Sequence, residues 1–72
     1  MKNLTITTQV KMIDSNATGA MYRKQRLDRK LRIEDVAPNA GLSLAKLARL
    51  ERGEADWNED IALRVKTAIR KG

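Results

Sequence analysis

Apolar positions recur every second residue at the start of the chain and at helical spacing after it. Leu4, Ile6, Val10 and Met12 form one row, completed by Thr8, and Thr5, Thr7, Gln9 and Lys11 form the other. That alternation, in a segment rich in Thr, Ile and Val, predicts an extended strand over 1–13. A lone strand is unstable in water and no second one is visible. Its expected partner is therefore the same strand of another copy, so Leu4, Ile6, Thr8, Val10 and Met12 are the candidate dimerisation residues. The alternative is a disordered arm.

Asp14-Ser15-Asn16 offers helix caps, and from Ala17 the pattern turns helical. Ala20, Leu27 and Leu31, with Met21 and Gln25 between them, mark a first helix of about three turns. Ile33, Val36, Ala37 and Ala40 outline a short second helix, which Gly41 breaks. Ser43 caps a third helix built on Leu44, Leu47 and Leu50, and Gly53 ends it. Asn58 caps a fourth, with Glu59 and Asp60 in its first turn and Arg70 and Lys71 in its last. Ile61, Ala62, Val65, Ala68 and Ile69 supply its apolar stripe. The expected architecture is mainly α, one strand followed by four helices, with a helical domain over 17–70.

Composition narrows the chemistry. The chain has 72 residues, so it is expected to be one small domain. It has no Cys and no His, which removes disulfides, thiolate nucleophiles, the usual zinc sites and the commonest general base. No nucleophile and base fall at a recognisable spacing, so no enzyme is expected, and no catalytic residue, cofactor or metal is implied. Apolar runs are too short to span a bilayer and the first residues do not form a secretory signal, so the expected location is the cytoplasm. Fifteen Lys and Arg against nine Asp and Glu give a net charge of +6. With one Trp, one Tyr and no Phe, that charge suits binding to phosphates rather than stacking on single-stranded bases.

The most informative stretch is Ile33 to Arg52. Two helices joined by a tight turn need a small residue on the first and a left-handed residue in the turn; Ala37 and Gly41 stand at those places. Val36, Leu42, Leu47 and Leu50 fall where such a pair must pack on the rest of a domain. This spacing resembles the helix-turn-helix signature. Residues 17–70 as a whole resemble the phage Cro and CI repressor family, often called XRE. Leu31 opens the motif, Ser43 caps the recognition helix, and Leu50-Glu51-Arg52-Gly53 closes it. The resemblance implies a λ-repressor-like fold and an ion pair between Glu51 and Arg26. A helical wheel agrees, since Glu51 falls near the inward Leu47–Leu50 side and needs a cation there.

On the same wheel Ala45, Ala48, Arg49 and Arg52 point away from Leu47, flanked by Lys46 and Leu44. Two alanines and two arginines make little sense as a packing surface but suit a helix lying in the major groove of double-stranded DNA. Leu44, Ala45, Lys46, Ala48 and Arg49 are the candidate base contacts. Arg32, Ser43 and Arg52 are the candidate phosphate contacts.

Three features depart from the family. Ile33 and Leu44 stand where many repressors carry glutamines, so they are expected to touch each other while Lys46 or Arg32 replaces the polar clamp. Pro38 falls inside the second helix, which therefore should start late, near Asp35. No fifth helix follows for dimerisation, leaving that task to the N-terminal strand, with Ile61, Val65 and Ile69 as the fallback interface. The resemblance implies a dimeric transcriptional repressor on a palindromic operator, autoregulatory and of phage or prophage origin, either Cro-like or of the kind that accompanies anti-CRISPR genes. The alternative is an antitoxin that represses its own operon and binds a partner toxin through residues 1–13.

Overall fold

A computed structural model describes residues 14–72. The strand expected over 1–13, and with it the dimerisation residues Leu4, Ile6, Thr8, Val10 and Met12, lies outside them. The described chain is mainly helical: α1 (Ser15–Asp28), α2 (Ile33–Val36), α3 (Leu44–Glu51) and α4 (Glu59–Lys71), with a 3₁₀ turn at Pro38–Ala40 between α2 and α3.

α1 begins two residues earlier than the apolar pattern indicated, because the Asp14 carboxylate accepts the Ala17 amide at 3.1 Å. Its inward face also differs from expectation. Gly19, Tyr22 and Arg26 are buried, whereas Ala20, Met21 and Leu27 face solvent, the latter two each 46% exposed. The physical reason is a close crossing with α3. A Cβ on Gly19 would overlap the Leu50 carbonyl oxygen and lie 2.8 Å from that of Glu51, so only glycine permits the approach. Tyr22 then stacks on Trp57, with ring centroids 5.1 Å apart.

α2 is shorter than expected and does not start late. It opens at Ile33, after the Arg32 amide donates to the Asp35 carboxylate at 2.7 Å, and stops at Val36. Pro38 opens the separate 3₁₀ turn, a first-turn position where its missing N–H is harmless. Gly41 ends that turn in the left-handed region (φ 70°). From there Leu42 donates back to the Ala37 carbonyl at 2.9 Å. Ala37, wholly buried, lets α2 and the following segment close on the core.

α3 is capped by Ser43, whose hydroxyl oxygen accepts the Lys46 amide at 3.0 Å. It ends in a Schellman motif: Gly53 (φ 77°) donates to Leu50 and Glu54 donates to Arg49 at 2.8 Å. α4 is capped by Asn58, whose side-chain oxygen accepts the Ile61 amide at 2.8 Å. Val65, Ala68 and Ile69 seal the core together with Val36, Leu47, Leu50 and Trp57. Ile61 packs against it half-buried. Val65 and Ile69 are consumed in this interior, so the fallback interface through Ile61, Val65 and Ile69 is not on offer. No helix among the described residues is long and apolar enough to cross a membrane.

Candidate nucleic-acid interface

The site is built outward from one buried ion pair. Arg26 on α1 donates from Nε to Glu51 Oε2 at 2.7 Å and from Nη2 to Oε1 at 2.8 Å, a two-pronged contact. Its remaining arm donates from Nη1 to the Leu31 carbonyl at 2.8 Å. The two side chains are only 8% and 4% exposed. The hydrogen bonds to Glu51 hold the Arg26 guanidinium above its ordinary pKa against the opposing effect of burial. One arginine thereby ties α1, the α1–α2 link and the last turn of α3 together.

That anchor sets the orientation of α3. Leu47 and Leu50 are fully buried and Glu51 is buried, leaving the opposite side of the helix to solvent. Ala45, Lys46 and Arg49 are exposed there, and Ala48 is half-buried on the flank nearest α1. Neither Lys46 nor Arg49 has a hydrogen bond or ion pair for its side chain among the described residues. Leu44 is 49% exposed, while Ile33 is half-buried and packs against the core.

The candidate phosphate contacts surround this helix. Ser43 is exposed at its N-terminus; its oxygen serves as the cap, and its hydroxyl proton remains able to donate outward. Arg32 is exposed at the start of α2, 3.9 Å from the Asp35 carboxylate. Arg52, just past α3, donates from Nη2 to Glu54 Oε1 at 3.1 Å. That bond holds the Glu54 carboxyl below the usual carboxylate range, chiefly by hydrogen bonding and secondarily by charge.

An open groove of about 670 Å³ runs between α1 and α3. Ala20, Arg23, Lys24 and Leu27 form its α1 wall, Ala48 and Arg52 form the α3 side, and Ile33 also lines it. Arg23 and Lys24 were not singled out from the sequence. The signal lay in α1's own wheel, which, once Arg26 is placed inward, puts residues 20, 23, 24 and 27 on one adjoining face. Among the described residues no group of His, Cys, Asp and Glu is arranged to hold a metal ion.

No family model, curated protein or solved structure matches this chain.

Proposed function

We propose that the chain is a sequence-specific, double-stranded DNA-binding repressor, with α2, the turn at Gly41 and α3 acting as a helix-turn-helix. The observation that carries the reading is the division of α3. One face is wholly engaged in the core, and the other offers small residues together with Lys46 and Arg49, whose side chains make no hydrogen bond or ion pair among the described residues. A ridge of alanines lets a helix sink into the major groove, where Ala can meet thymine methyls and Arg or Lys can reach guanine O6 and N7. The net charge of +6 supplies the attraction to phosphate that any such protein needs. Two copies would read a palindromic operator with their α3 helices roughly 34 Å apart, one turn of B-DNA. Autoregulation, in the manner of small phage regulators, follows from the resemblance to Cro and CI repressors.

The test is selection of bound duplexes from random DNA, followed by substitution in the selected site. Arg49→Ala should weaken operator binding by about 1–3 kcal/mol and relax preference at one base pair per half-site. Arg52→Ala should weaken all duplexes alike and flatten the dependence of log K on log salt by about one unit. Failure of the selection to enrich any sequence, with both variants binding like the parent, would overturn the reading.

A further inference from the structure

Resting on that reading, we infer that the α1 wall of the groove, through Arg23 and Lys24, is a second contact for the DNA backbone, opposite Arg52. A helix about 10–12 Å across fills a major groove about 12 Å wide, so a phosphate backbone must run along each flank of α3. The outward centre of α3 is Ala45 and Arg49; Lys46 lies to one side, and Ala48 and Arg52 lie to the other. The second side is the one that borders the groove. A backbone passing there meets Arg52 at the end of α3 and faces Arg23 and Lys24 on α1.

The charges of this groove are available to an anion. Arg26 and Glu51 cancel one another beneath it. Arg23 is exposed and has no hydrogen bond or ion pair among the described residues. Among the described residues Lys24 is engaged only by Asp28 at 2.9 Å, in a pair whose side chains are 77% and 61% exposed, a partner that solvent or phosphate readily replaces. Ala20 and Ala48 are the small residues of the two walls, so the longer side chains of Arg23, Lys24 and Arg52 extend past them. A row of cations along an open groove matches a sugar–phosphate backbone.

The test is fluorescence anisotropy of the full chain with a labelled duplex of arbitrary sequence, titrated at several salt concentrations. Arg23→Ala should reduce the slope of log K against log salt by about one unit, as Arg52→Ala does, while Arg23→Lys should retain it. An unchanged slope for Arg23→Ala beside a reduced one for Arg52→Ala would overturn this contact and leave the DNA-binding reading intact. The groove would then be free for an acidic polypeptide. Unchanged slopes for both variants would remove the reading and the contact with it. Arg23 is exposed, so a thermal melt matching the parent establishes that each variant is folded.

Discussion

Two arginine–glutamate pairs meet at the end of α3, alike in chemistry and opposite in surroundings. Arg26 and Glu51 close at 2.7 Å with side chains 8% and 4% exposed; Arg52 and Glu54 close at 3.1 Å with side chains 58% and 55% exposed. Glu51 and Arg52 are neighbours in the chain, yet one turns inward and the other outward. The first pair is enclosed by α1, α3 and the Leu31 carbonyl and is almost wholly removed from solvent. The second is held in competition with solvent, so its arginine can be given up to a better anion. Burial, rather than distance, separates a residue that holds the fold from one available to a ligand.

Breaking the buried pair should have the largest effect. Arg26→Ala strands a carboxylate inside and should destabilise the protein by about 3–5 kcal/mol in chemical denaturation. The double variant Arg26→Met, Glu51→Leu should recover most of that loss, because apolar replacement of a buried pair is often neutral. A parent-like melt for the single variant would mean that the pair is solvated.

Next in size is Gly19→Ala, which tests the crossing that brings Arg26 within reach of Glu51. The new methyl group meets backbone carbonyls of Leu50 and Glu51, which cannot rotate away. A loss of about 1–3 kcal/mol is expected. A neutral result would mean that the helices separate without disturbing the pair.

The smallest effect belongs to the exposed pair. Glu54→Gln should leave the melting temperature unchanged and raise affinity for DNA, by roughly two- to five-fold at low salt, as Arg52 is released. Because Arg52 holds the Glu54 carboxyl below its usual range, the carboxylate is lost only as pH falls through that lowered pKa. The release therefore needs the substitution and is not reproduced near neutral pH. Weaker binding by Glu54→Gln would show that Glu54 orients Arg52 rather than competing for it.

α3 and α4 were legible in the sequence because their buried faces are made of leucine, valine, isoleucine and alanine at helical spacing. α1 was legible as a helix but its buried face was not, since that face is a glycine, a tyrosine and an arginine, of which only Arg26 was picked out, through its pairing with Glu51. Met21 and Leu27 drew attention to the wrong side. Pro38 pointed to a break in the second helix but not to its form, a helix ending at Val36 followed by a fresh 3₁₀ start. The Tyr22–Trp57 stack joins α1 to a loop far along the chain, and local spacing carries no trace of such a contact. On the candidate site, the outward residues of α3 were legible from Leu47 alone. Arg23 and Lys24 were hidden because placing them depends on knowing which way α1 faces.

Trp57 is the only tryptophan in the chain. Its ring lies on Tyr22, its Nε1 donates to the Leu50 carbonyl at 2.9 Å, and its own amide donates to Ser15 Oγ at 3.2 Å. One residue thus touches the start of α1, its middle and the last turn of α3, so its emission is a native optical gauge of how these helices are assembled. It is buried and absent from the cationic groove, so the same signal distinguishes a variant that has lost its fold from one that has lost only its grip on a ligand.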